Sequence, residues 1–167
     1  ASSVVETSIK HVDAATTLLN RHWELFETAR TRLDDSVKRG DLSAVFAMYD
    51  RYLQRTRERI GYARTLLETE PDFTLDEEYQ FDRTDLDWPE TTAELDEIWR
   101  KRVKNDALSL VMTGKDWAET RQVLDERYDR VLKRIEQVKS NDVFEAFMNA
   151  YAHSLDPHSS YFSPRNA

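Results

Sequence analysis

The chain has 167 residues, of which 40% are hydrophobic, 34% charged and 11% aromatic, with 3 Gly, 4 Pro, no Cys and a formal charge of −8. That length suits one domain with its own core, and the aromatic content excludes an unfolded tail. So few turn residues exclude an all-β fold, which needs them roughly every 8–12 positions. The missing Cys excludes disulfides and thiolate zinc sites, and the negative field disfavours general nucleic-acid binding.

Residues Ala1 to Ile9 lack the basic stretch and apolar run of a signal peptide, so an exported form would carry its signal ahead of them. No apolar run approaches the roughly 18–20 residues of a membrane span. From Val5 the apolar positions step by four and three through Ile9, Val12, Thr16, Leu19, Trp23, Phe26, Arg30, Leu33 and Val37. Eight of these ten are apolar, a heptad-like seam interrupted at Thr16 and Arg30. This predicts a packed bundle helix, stopped by Gly40, with Asp41 as the next N-cap.

A second helix is expected over about Leu42 to Leu67, burying Val45, Phe46, Tyr49, Tyr52, Leu53, Ile60, Leu66 and Leu67. Gly61 inside it predicts a close contact or a bend, since glycine in a helix interior costs up to about 1 kcal/mol relative to alanine. Its outer face is basic, with Arg51, Arg55, Arg57, Arg59 and Arg64. Such a face either binds phosphate or is neutralised by nearby acids.

Those acids are concentrated. Between Glu70 and Glu97 twelve acidic residues face one base, Arg83, a local charge of −11 that leaves +3 for the rest of the chain. The plain reading is a solvated acidic connection; the sharper one is a face for a basic partner. Pro71 ends the second helix, and residues 71–90 form a long crossing loop. Its side chains Phe73, Leu75, Tyr79, Phe81, Leu86 and Trp88 are expected to pin it to the helices. Asp82, Asp85 and Asp87 have neither the spacing nor the glycine of a calcium loop, so no calcium site is expected.

A capping box, Thr91-x-x-Glu94 after Pro89, opens a third helix with a face of Leu95, Ile98, Trp99, Val103, Leu108 and Val111, stopped at Gly114. Asp116 and Glu119 open a fourth, with Leu124, Tyr128, Val131, Ile135 and Val138 on its seam. Ser140 or Asn141 caps a fifth carrying Val143, Phe144, Phe147, Met148 and Tyr151. It ends near Leu155, because Pro157 disfavours helix at Asp156. The fold class is therefore all-α, an irregular bundle of about five helices with one long aromatic and acidic crossing loop.

The chemistry-bearing residues form no recognisable active site. There is no Gly-x-Ser-x-Gly and no phosphate-cradling glycine loop. His11, His22, His153 and His158 show no His-x-x-x-His spacing, and paired carboxylates have no evident cleft. No catalytic residue, metal or cofactor is expected, and the residues alone read as a helical interaction module.

The segment Ser154-Leu155-Asp156-Pro157-His158-Ser159-Ser160-Tyr161-Phe162-Ser163-Pro164-Arg165-Asn166 resembles the one that closes the N-terminal helical region of C-terminal processing peptidases, closest to the tail-specific branch of Gram-negative bacteria. Other blocks agree in order: Phe73-Thr74, Tyr79, Asp82-Arg83 and Trp88-Pro89; Glu94-Leu95, Trp99 and Lys104; Leu108-Ser109-Leu110 with Thr113-Gly114-Lys115; and Asp142-Val143-Phe144. The resemblance covers about residues 33–166. It implies a helical N-terminal domain over 1–155 and an exit segment over 156–167 leading to PDZ and protease regions. The parent is then an exported, periplasmic serine endopeptidase with a Ser–Lys pair outside this chain, so no catalytic residue is carried over. It further implies a lipoprotein adaptor docking on the helical part of some members; a homo-oligomer is also open.

Two family motifs are singled out: a loop motif of Tyr79, Asp82, Arg83, Trp88 and Pro89, and a junction motif of Asp156, Pro157, His158, Ser159, Tyr161 and Pro164. In the junction, Asp156 is expected to cap a turn stiffened by Pro157 and Pro164, with Tyr161 and Phe162 packed back on the bundle. Its role is a fixed exit toward the next domain or, alternatively, a gate on substrate entry. A free-standing helical oligomerisation or adaptor protein, or a small metal enzyme in a bundle core, are the competing readings.

Overall fold

The computed structural model describes residues 33–82, 86, 87 and 89–163. The predicted seam from Val5 to Arg30 lies outside them. Among the described residues there are five helices and no strand: α1 (Leu33–Arg39), α2 (Ser43–Leu66), α3 (Thr92–Val111), α4 (Trp117–Glu136) and α5 (Ser140–Leu155).

Local chemistry sets the helix ends. Gly40 takes φ 71°. Its N–H meets the Val37 carbonyl at 3.0 Å while Asp41 N–H meets Ser36 at 2.8 Å, the paired bonds of a Schellman stop. Asp41 sits one residue too early to be the N-cap of α2, which is Leu42. Its Oδ1 instead accepts from the N–H and hydroxyl of Ser43, at 3.1 and 2.7 Å. Thr91 caps α3 as expected, accepting from Glu94 N–H at 3.1 Å, but the Glu94 carboxylate reaches past the cap to Glu90 N–H at 2.8 Å. Asp116 and Glu119 form the reciprocal box of α4. The cap of α5 is Lys139, neither Ser140 nor Asn141. The Asp142 carboxylate reaches back to its N–H at 2.8 Å, which extends the helix by a residue.

Helix α2 is the spine, packing on α3, α4 and α5, while α3 and α4 also pack on each other. The main core joins Ile60, Ala63 and Leu67 of α2, Leu95, Trp99, Val103 and Ala107 of α3, and Leu124 and Tyr128 of α4. A smaller cluster pairs Val45 of α2 with Val143 of α5, flanked by Leu42, Phe46, Tyr49 and Phe147. The Tyr49 hydroxyl donates to the Ile135 carbonyl at 3.2 Å, tying α2 to the end of α4.

The predicted faces hold with six changes. Thr56, Ala63, Ala107 and Thr120 are buried although their side chains are small or polar. Leu108 and Val138 are exposed, the latter because α4 ends two residues before it. Gly61 marks no close contact among the described residues: it faces solvent, and a Cβ there would meet nothing within 4 Å. The basic face of α2 is paired mainly across helices, not with the loop. Arg64 grips Asp125 of α4 through two bonds of 2.7 and 3.1 Å, Arg57 meets Glu136 at 3.1 Å, and Arg59 meets Asp96 of α3. Three of its five arginines thus have their charges met by carboxylates of other helices in the bundle, as the neutralised reading of this face expects.

Candidate functional site

The two motifs occupy different parts of the bundle. The loop motif lies on the α3 side. Phe73 packs on the main core, and Pro89 is buried just ahead of the α3 cap. Tyr79 is half-buried, with its ring edge-on to Phe81 at 5.0 Å. Asp82 is exposed; Arg83, Asp85 and Trp88 fall outside the described residues.

The expected pins hold only in part: Phe73 packs on the core and Tyr79 is half-buried, but others of the set face solvent. Phe81 is 75% and Leu75 56% exposed, and Leu86 faces solvent as well. The middle of the loop is attached electrostatically. Glu77 receives hydrogen bonds from Arg100 and from Lys104, the latter at 2.5 Å, and Lys104 also donates to the Leu75 carbonyl at 3.1 Å. Arg100 and Lys104 are four residues apart, hence stacked on one helix face. First Arg100 and then Lys104 hold the Glu77 carboxyl down to about 2. Between loop and α3 lies an open cleft of about 370 Å³ lined by Phe73, Leu75, Tyr79, Lys101, Asn105 and Leu108. Sequence reading missed this clasp; two cations at i and i+4 facing a long acidic loop were the available signal.

Part of the acidic segment is absorbed within the domain. Asp72 accepts from Thr74 N–H and hydroxyl at 2.9 and 2.6 Å, Asp96 meets Arg59, and Glu97 meets Arg100 at 2.7 Å.

The junction motif is built on α5. Asp156 Oδ1 accepts from His158 N–H at 3.1 Å, its Oδ2 accepts from the Ser159 hydroxyl at 2.8 Å, and its carbonyl accepts from Ser159 N–H at 3.0 Å. The His158 amide, then the Ser159 hydroxyl, holds the Asp156 carboxyl below its ordinary value. This is the expected cap, made with Pro157 in the turn.

The chain then folds back along α5. Tyr161 N–H donates to Asn149 Oδ1 at 2.9 Å, and its ring stands perpendicular to Phe144 at 5.5 Å. Phe162 does not pack back: it is 69% exposed. Those contacts hold Tyr161 inward while its neighbour Phe162 faces solvent. Pro164 lies outside the described residues.

Among the described residues no three His, Asp or Glu side chains converge as metal ligands, and no helix is long and apolar enough to cross a membrane. His153 and His158 are exposed on either side of the α5 terminus.

The model of the family described as "Tail specific protease N-terminal domain" matches residues 1–165, extending the resemblance through the first thirty residues. The chain is similar to the tail-specific protease of Haemophilus influenzae, with 40% identity over 144 residues, covering 86% of this chain and 21% of that relative. It thus spans about a fifth of the relative's length. With an all-α bundle among the described residues and a family match over residues 1–165, the chain belongs to the family of tail-specific protease N-terminal domains.

Proposed function

We propose that this chain is the non-catalytic helical scaffold of a periplasmic serine endopeptidase that trims or degrades substrates from their C-terminal ends. Its bundle over 1–155 supports PDZ and protease domains of the same polypeptide, and residues 156–167 lead into them. The observation that carries this reading is the match of an N-terminal-domain family over residues 1–165, joined to a relative of which the chain covers only 21%.

The junction geometry supports a fixed exit over a gate. Three hydrogen bonds to Asp156 and two contacts of Tyr161 set the direction of the chain as it leaves α5. A lipoprotein adaptor or a second copy belongs to the same reading as a partner of the exposed surface, where Leu75, Phe81 and Met112 stand free of the core.

The test is a peptide-hydrolysis assay with an apolar C-terminal peptide. The full-length protein cleaves it and residues 1–167 alone do not. Cleavage by the 167-residue chain overturns the division of labour.

A further inference from the structure

From Ala146 to Ser163 the sequence holds one charged side chain, Asp156, in a chain that is 34% charged. The Asp156 carboxylate is bonded inside its own turn. The same stretch carries Phe147, Met148, Tyr151, Tyr161 and Phe162. Charge depletion with aromatic and Met enrichment is the compositional mark of an interface core.

Yet none of its described side chains is fully buried, and Leu155 and Phe162 are 74% and 69% exposed. Single exposed apolar side chains are ordinary; a whole uncharged stretch without a buried member is not. The exit is also anchored to α5 beside this surface, because Asn149 and Phe144 hold Tyr161, the neighbour of Phe162. The Ser163 hydroxyl oxygen is buried without a hydrogen-bond partner among the described residues, a polar group left for something else to satisfy.

We infer that the C-terminal half of α5 and the exit segment form one half of an interface, whose other half is the polypeptide that follows this domain in the same chain. The inference rests on the reading under Proposed function. The occupant is argued from position and chain length: the backbone leaves the bundle along this face, and the matched relative is nearly five times as long as the segment it shares. Tethering keeps whatever follows at high effective concentration beside it. The exit segment is then a rigid joint between domains and not a linker.

The test uses the full-length protein with p-benzoylphenylalanine in place of Phe162, of Leu155, or of Met112. Met112 is 79% exposed at the end of α3 and serves as the control. After irradiation, cross-links are mapped by mass spectrometry. Positions 162 and 155 should join peptides C-terminal to residue 167 of the same chain, and position 112 should lose that product. Cross-links to residues 1–32, a dimer-mass product, or no product from 162 and 155 would overturn the inference. Peptide hydrolysis by the unmodified full-length protein is scored alongside. No hydrolysis with downstream cross-links sinks the protease reading and leaves the joint; hydrolysis without such cross-links does the reverse.

Discussion

Ten of the 20 residues of α4 are charged, against two of the 16 in α5, yet α4 places Thr120, Leu124 and Tyr128 in the core while α5 buries only Val143. Register explains the inversion. In α4 the residues at 120, 124 and 128 repeat every four positions and meet two other helices, and its charges fall on the outer face or pair with α2. In α5 the apolar residues run round more of the cylinder than α2, the helix that packs most on it among the described residues, covers. Where apolar residues sit decides what a helix buries; how many there are beyond that decides what it still offers to a partner.

The sharpest way to break this comparison is to truncate one residue in each cluster. Leu124 is wholly buried among three helices, so Leu124→Ala should destabilise the protein by about 2–5 kcal/mol. Val143 shares its small cluster with Val45 alone among buried residues, and Val143→Ala should cost about 1–2 kcal/mol from the lost apolar groups. Urea unfolding of the two variants gives both values. Equal losses would mean that the α2–α5 corner is as cooperative as the main core.

How much of this was legible beforehand follows from the kind of signal each feature sends. Gly40, Thr91, Gly114 and Asp116 act through their own backbones or nearest turns, so they announced helix ends within a residue or two. The burial of Ala63, Ala107, Thr56 and Thr120 was not legible, because a small or hydroxyl side chain carries no apolar signal and is selected by how closely neighbouring helices approach. Leu108 misled for the opposite reason: its hydropathy fitted the face, but Ala107 holds the buried position beside it. At the site, the Asp156 turn was readable from four adjacent residues. The clasp on Glu77 was not, since its partners lie 23 and 27 positions away.

A smaller and opposite effect is expected on the spine both clusters share. Gly61 lies inside α2 with an ordinary helical backbone, faces solvent, and leaves room for a Cβ. Gly61→Ala should therefore raise stability by up to about 1 kcal/mol, chiefly by restricting the unfolded chain. Thermal unfolding reads this as a higher Tm. A lower Tm would show that the glycine serves a contact made outside this domain, which would enlarge the interacting surface beyond α5.

The two attached segments, loop and exit, supply the finest test, because each is held by a carboxylate whose affinity for protons is reduced. Glu77 titrates at about 2 in place of 4.5, so the clasp contributes fully above about pH 4.5 and is lost as pH falls toward 2. Asp156 is lowered as well, but its partners lie within three residues of it, so its protonation loosens only its own turn. Acid should therefore free the loop from α3 as the pH falls toward 2. Glu77→Gln should reproduce that release at neutral pH. Limited proteolysis within residues 74–87 should rise in this variant while its Tm stays close to that of the parent, because an ion pair at the surface contributes little to global stability. Raised salt should weaken the clasp in the parent and do nothing further in the variant, since screening acts only on the charge that has been removed. Unchanged proteolysis in Glu77→Gln would assign the attachment to half-buried Phe73 and buried Pro89, at either end of the loop, and leave the ion pairs as surface decoration.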